Sequence, residues 1–214
     1  IGDKNIAQIK RQFKRYYNTA MKSVIKEYEA THNKLLATLE KDKQPTPADL
    51  YNLNKYWEMQ GSIKKHLERL GDRQIRLLNR VFEMNYFDTY YAFSLEGQKA
   101  FSTIDDNAVK ALLNGVWVAD GKNWSSRIWD NTTLLTETLN EELINVVLTG
   151  KKTSQLKTKL QERFGVAYNN ADMLARTELA HIQTEASKQR YKDYGIDEAD
   201  FLARLDDMVE QAFD

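Results

Sequence analysis

The chain has no cysteine. Disulfide scaffolds and Cys-ligated metal sites are therefore excluded, and the count suits a reducing interior. Proline occurs only at Pro45 and Pro47, so long stretches are free of its helix-breaking geometry. Histidine is limited to His32, His66 and His181. No apolar run approaches the ~20 residues of a membrane span, and no signal-peptide pattern is present, so no membrane partner is expected. Glycine-rich phosphate loops, G-x-S-x-G and H-E-x-x-H are all missing. No spacing of Ser, His and Asp nominates a triad. Neither an enzyme nor a cofactor is expected.

Net charge is missing too, with 31 Lys+Arg against 31 Asp+Glu. The distribution is uneven. Among residues 1–26 the bases are Lys4, Lys10, Arg11, Lys14, Arg15, Lys22 and Lys26, against the single acid Asp3. From residue 197 onward the acids are Asp197, Glu198, Asp200, Asp206, Asp207, Glu210 and Asp214, against Arg204 alone. A basic helix can meet phosphate or an acidic protein surface, or simply present a solvated face.

What is present is helical spacing. Ile6, Ile9, Phe13, Tyr16, Ala20, Val24, Tyr28, Leu35 and Leu39 recur mostly at three or four residues, which predicts an amphipathic helix over residues 5–40, on the order of 50 Å long. A helix of that length is expected to pair with another helix or another chain, the latter giving an oligomer. Thr46 and Pro47 suit the start of a second helix, with Leu50, Leu53, Trp57 and Leu67 inward. Gly71-Asp72 predicts a stop and restart. A third helix over 73–95 carries Ile75, Leu78, Phe82, Tyr86 and Phe93, with Phe87, Tyr90 and Tyr91 around them, and is expected to form an aromatic core. A short helix over 105–113 ends at Asn114-Gly115, and a loop over 116–123 follows. The helix expected over 124–148, capped by Asn123 or Ser125, is closed by Gly150. Thr153 is expected to cap a shorter helix over 154–164, closed by Gly165. Residues 201–205 fit a short strand or helix. Nothing reads as a sheet, so the class is all-α: a long N-terminal amphipathic helix or helical hairpin plus a compact C-terminal helical domain. The 214 residues suit one domain, or one compact domain with a helical arm.

The last long helix, over residues 169–196 and closed by Gly195, is the most informative. Ala171, Leu174, Ala175, Ile182 and Ala186 share one face, and Glu178 falls in its middle. Met173, Ala180 and Tyr191 form a second apolar stripe, which predicts packing on two sides. A carboxylate inside an apolar face is costly unless paired or hydrogen-bonded. Arg176 diverges from it by ~200° on the same helix, so the partner must come from elsewhere in the fold. A base of the segment 122–127, Arg127 first, is the expected partner; a backbone amide is the alternative. Breaking a buried pair there would cost ~3–5 kcal/mol. Glu178, His181 and Glu185 also spell E-x-x-H-x-x-x-E. Di-metal bundles need that element on two helices, and only one copy occurs, so ordinary helix ion pairs are the expectation. Arg176-Thr177-Glu178 matches an ADP-ribosyl-transfer triplet, which carries no weight on a helix without a sheet.

The order of elements in the second half carries a resemblance. It runs Asp120-Gly121-Lys122-Asn123-Trp124-Ser125-Ser126-Arg127-Ile128-Trp129, then the leucine-patterned helix to Thr149-Gly150-Lys151-Lys152. Leu156, Leu160, Arg163-Phe164-Gly165-Val166 and Asn170-Ala171 follow. Leu174-Ala175-Arg176-Thr177-Glu178, Gln183, Ala186, Arg190-Tyr191 and Tyr194-Gly195-Ile196 complete it. This resembles the phage minor head protein family, the Mu F-like head morphogenesis proteins, over roughly residues 115–205. The resemblance implies a structural component of a tailed-phage or prophage head, associated with the portal or capsid interior and located in the virion after assembly in host cytoplasm. It implies double-stranded DNA, packaged or ejected, as a further candidate partner. It makes Arg176, Thr177, Glu178, Arg127, Trp124 and Gly195 the structural motif. Arg176 and Glu178 are then expected to be struts that lock neighbouring helices. Lys10, Arg11, Lys14, Arg15, Lys22 and Lys26, on a projecting first helix, are the candidate portal or DNA contacts. On this reading residues 1–113 are a helical N-terminal region, 114–205 the head-protein-like domain, and 206–214 an acidic tail or a truncated continuation. Relatives continue into a Cys/His-containing segment where this chain has Met208-Val209-Glu210-Gln211-Ala212-Phe213-Asp214, so no metal or toxin activity carries over. The rival readings are a nucleic-acid-binding module using the basic helix, and the delivery half of a phage-carried toxin.

Overall fold

Apolar residues at Ile9, Phe13, Tyr17, Ala20, Val24 and Tyr28 are spaced by four, four, three, four and four, and all six are buried. That stripe makes α1 (Gly2–Thr38) one side of a helical bundle rather than a projecting arm. The computed structural model describes residues 2–38, 54–92, 104–149 and 153–196. Four more helices follow α1: α2 (Asn54–Ala92), the short α3 (Asp106–Asn114), α4 (Trp124–Thr149) and α5 (Thr153–Asp193). The fold is all-α, with a long N-terminal helix and a compact helical C-terminal part, and no described residue lies in a strand. Among the described residues no helix is long and apolar enough to cross a membrane.

Cross-helix contacts give the directions. Asn5 meets Asn85, Tyr17 meets Gln74 and Glu27 meets His66, so α1 and α2 are antiparallel. Tyr17 meets Ala167 and Glu29 meets Lys157, so α1 and α5 are antiparallel as well. Phe82 packs edge-on to Trp124 and Gly71 abuts Trp129, which sets α4 antiparallel to α2. Asn131 reaches Ala167 and Glu142 reaches Lys159, which sets α4 antiparallel to α5. Thus α2 and α5 run parallel as the central pair, flanked by α1 and α4 on opposite sides. Residues before and after position 113 share one core. Full burial of each Leu, Phe or Ile in it contributes about 1.5–3 kcal/mol before entropy is set against it.

The bundle is pinned by buried polar groups. The Tyr17 hydroxyl donates to the Ala167 carbonyl at 2.9 Å and accepts from Gln74 Nε2 at 3.1 Å and Asn131 Nδ2 at 3.2 Å. One oxygen therefore joins α1, α2, α4 and α5. Its burial pushes the phenol well above its ordinary pKa, so it stays a neutral donor. One end of the bundle carries a second junction, where Asn85 Oδ1 accepts from Asn5 at 3.0 Å and from Gln183 at 3.2 Å. Elsewhere Glu142, 6% exposed, accepts from Lys159 and from Arg163 (2.8 Å), clamping α4 to α5.

Several expected features differ. Residue 71 does not stop a helix, for α2 runs through it. A Cβ there would lie 2.8 Å from the Trp129 ring, so the missing side chain is what lets α4 approach. Likewise α5 runs unbroken through Gly165, merging the two helices expected around it. Favourable packing along both flanks offsets the ~1 kcal/mol that glycine costs inside a helix. Trp57 is 56% exposed rather than inward, whereas Leu67 is buried as expected. Met173 and Ala180 are exposed and Tyr191 is half-buried, so the second stripe on α5 is not a packed face; Leu179, which is buried, sits at the edge of the main face. Phe82, Tyr86 and Tyr90 form the expected aromatic core, with Tyr91 left exposed. Asn123 caps α4, its side chain accepting from the Ser126 amide at 2.9 Å. The expectations at Thr46, Pro47, Leu50, Leu53, Phe93, Gly150 and residues 201–205 lie outside the described residues.

Tyr17→Phe is expected to lower unfolding free energy by about 1–3 kcal/mol, because Gln74 is left buried without its acceptor. Adding Gln74→Leu should recover part of that loss in urea denaturation; a fully additive double mutant would contradict the coupling. A second expectation concerns pH. Hydrogen bonds from Lys159, then Arg163, hold the Glu142 carboxyl below its ordinary value. A folded-state pKa lowered in this way adds stability above the unfolded value, and that stability is lost as pH falls through the folded one. Melting temperatures measured downward from about pH 5 should fall less steeply in Glu142→Gln than in the parent.

Candidate functional site

The helix carrying Ala-Arg-Thr-Glu is the second half of α5. Ala171, Ala175, Ile182 and Ala186 are buried against the bundle, and Glu178 is 3% exposed among them. A largely exposed loop over residues 116–123 meets it through Trp117. Asp105 caps α3 by accepting from the Asn107 amide, and Gly115 ends it. From there the chain carries Trp117 across α5. The Trp117 indole N–H donates to Glu178 Oε2 at 2.8 Å, and its ring stacks on His181 with centroids 4.1 Å apart. The partner of the buried carboxylate is thus an indole.

Arg127 is not that partner. Its Nη2 donates to Asp120 Oδ1 at 2.8 Å, within the loop leading into α4. Gly121, at φ +74°, turns the chain so that Asp120 sits over the first turn of α4. The Lys122 amide, then the Arg127 guanidinium, hold the Asp120 carboxyl below its ordinary value. Arg127 thus finds its carboxylate seven residues away rather than on α5, and its Nε is left buried without a hydrogen-bond partner.

The other motif residues fall into place separately. Arg176 pairs with Asp172 at 3.0 Å on the exposed side of α5, so it does not strut a neighbouring helix. The Thr177 hydroxyl bonds back to the Met173 carbonyl at 3.1 Å. Trp124 is buried, its indole donating to the Leu113 carbonyl at 2.8 Å and tying α4 to the end of α3. Gly195 takes φ +72°, and the Gly195 and Ile196 amides reach the Lys192 and Tyr191 carbonyls, closing α5 as a Schellman motif. Just before it, Arg190 is buried over the rings of Tyr90 (4.8 Å) and Tyr194 (4.2 Å), and Tyr90 donates to Asp193. Tyr90 comes from α2 and Tyr194 from the turn that closes α5, so no local signal marks the aromatic pair that houses Arg190. Glu185 pairs with Lys188, and no metal-binding cluster occurs among the described residues.

The basic candidates form a second surface. Lys10, Arg11, Lys14, Arg15, Lys22 and Lys26 are all exposed along α1, and none has an ion-pair partner among the described residues. Arg15 lies 5.7 Å from the Tyr16 ring. Behind Lys10, Arg11 and Lys14 a groove of about 770 Å³ opens between α1 and α5, floored by Tyr17, Met21, Phe164, Gly165 and Tyr168. On the opposite side of α5, Leu134, Val166 and Met173 are each more than half exposed beside smaller clefts between α4 and α5.

No family model, no curated protein and no solved structure matches the chain.

Trp117→Phe removes the indole donor to the buried Glu178 carboxylate and is expected to cost about 1–3 kcal/mol in urea unfolding. Glu178→Gln keeps an acceptor for the indole and should cost less than Glu178→Ala. Equal losses in the Gln and Ala variants would mean that the hydrogen bond contributes nothing.

Proposed function

We propose that the chain is a structural minor head protein of a tailed phage or prophage, which joins the portal or capsid interior during head morphogenesis and performs no catalysis. The observation that carries the reading is the setting of the Ala-Arg-Thr-Glu helix. Its carboxylate is enclosed by Trp117 and apolar neighbours, while Arg176 and Thr177 bond within their own helix. Residues so placed act as scaffold. A reactive triplet would need a cleft shared by its members, and here Glu178 faces inward while Arg176 faces solvent.

The surface beside this motif supports an assembly role. Leu134, Val166 and Met173 present apolar area along α4 and α5, flanked by Arg127, Asn131 and Asn170. Exposed apolar groups rimmed by polar ones are the usual makeup of a protein contact. The portal contact is assigned to this face.

A second reading, a nucleic-acid-binding module, is favoured by the six exposed cations on α1, which have no ion-pair partner among the described residues. Salt dependence separates the two. A head protein should co-purify with a ring-shaped portal oligomer after nuclease treatment, and Met173→Asp should abolish that. A log–log slope of affinity for duplex DNA against salt worth several phosphates, with no portal retained, would replace the head-protein reading by the DNA-binding one.

A further inference from the structure

Two clefts lie side by side along α1. The larger is the α1/α5 groove, lined on α1 from Ala7 to Met21, about 21 Å of helix axis. Its floor is Tyr17, Met21, Phe164 and Tyr168, with the Phe164 and Tyr168 rings edge-on to Tyr17. Gly165 leaves open space above this floor, for a Cβ there would meet nothing within 4 Å. The second cleft shares Arg11, Lys14 and Asn18 with the first and continues to Lys22. No Asp or Glu lines either one.

The cations stand on one side only, and in register. Arg11, Lys14, Asn18 and Lys22 follow one another at spacings of three, four and four, so one edge of the groove is basic over about 16 Å. The α5 edge supplies Gln161, Gly165 and Tyr168, and no charge. Asp172, one turn beyond Tyr168, is held by Arg176. A single phosphate or carboxylate is too short to answer charges spread over that length. Duplex DNA would meet the basic edge and leave the apolar floor bare. A helix satisfies both. Laid along α1 it repeats the spacing of three and four, so acids on one flank face Arg11, Lys14 and Lys22 in turn while an apolar stripe lies over the rings.

We propose that the α1/α5 groove is a docking site for an amphipathic helix of another protein, apolar on its buried face and acidic on the flank that borders α1. This surface is separate from the α4/α5 face assigned to the portal, and it stands without that assignment.

The probe is a capped helical peptide of about 16 residues, with leucine recurring at three and four residues and glutamate at the same spacing beside it. Fluorescence anisotropy with the full chain should show binding that weakens as salt rises from about 50 to about 500 mM. The same peptide with lysine for glutamate should bind at least about 10-fold more weakly, and Arg11→Glu/Lys14→Glu should invert that order. Gly165→Leu fills the space above the floor without altering charge or Tyr17. It should weaken the acidic peptide by about 10-fold while circular dichroism stays unchanged. A photo-reactive group on the leucine face should cross-link to Met21 or Phe164. The proposal is overturned if the acidic peptide does not bind, if the order of the two peptides survives Arg11→Glu/Lys14→Glu, or if Gly165→Leu leaves affinity unchanged. Duplex DNA binding that needs Arg11 and Lys14, with the acidic peptide unbound, would give the edge to phosphate instead. Self-association lost in Gly165→Leu, again with the peptide unbound, would give the groove to a second copy of the chain.

Discussion

The bundle depends on where one hydroxyl sits. Apolar faces alone would let four long helices slide past one another by a turn with little loss of buried area. The Tyr17 oxygen forbids that, because it must meet Gln74, Asn131 and the Ala167 carbonyl together. Shifting any of the four helices by one turn, ~5.4 Å, would break one of these bonds and leave a buried polar group unsatisfied. Specificity of register thus rests on a few directional contacts, while most of the stabilisation comes from the apolar residues around them.

Much of this architecture was legible in the sequence. Spacing of three and four marked α1, α4 and the second half of α5, and it isolated Glu178 as a carboxylate in an apolar face. Three kinds of information were hidden. Tyr17, Gln74 and Asn131 are individually unremarkable, and only their convergence from separate helices makes them a junction. Glycine was misread at residues 71 and 165. At 71 the absence of a side chain serves the close approach of Trp129, a requirement set by a helix more than fifty residues away. A buried carboxylate such as Glu178 predicts a cation as its partner. An indole in a loop met the need instead, and Arg127 was already committed to Asp120, a neighbour that its own loop delivers.

The Trp117 contact links the two levels of the molecule. The loop over residues 116–123 has no helix of its own to anchor it, yet it is held at three points: Trp117 on α5, Asp120 on Arg127, and Asn123 on the start of α4. Trp117, Asp120, Asn123, Arg127 and Glu178 are joined around this corner. The cations and the apolar groove lie apart from it along α1. The groove nonetheless shares Tyr17 with the junction of the four helices, so its floor cannot be altered without touching the scaffold.

The unbroken α5 has a mechanical consequence. Its 41 residues make a rod of about 60 Å, gripped about a third of the way along by Tyr17 and Asn131, and near its end by the Arg190–Tyr90 contact. A rod held at two such distant points does not pivot. A tilt of ~5° about the Ala167 grip would carry residue 190, about 35 Å along the axis, by roughly 3 Å, enough to pull the Arg190 guanidinium off the Tyr90 ring. The end contact thus fixes the angle of the rod, as the Tyr17 junction fixes its register.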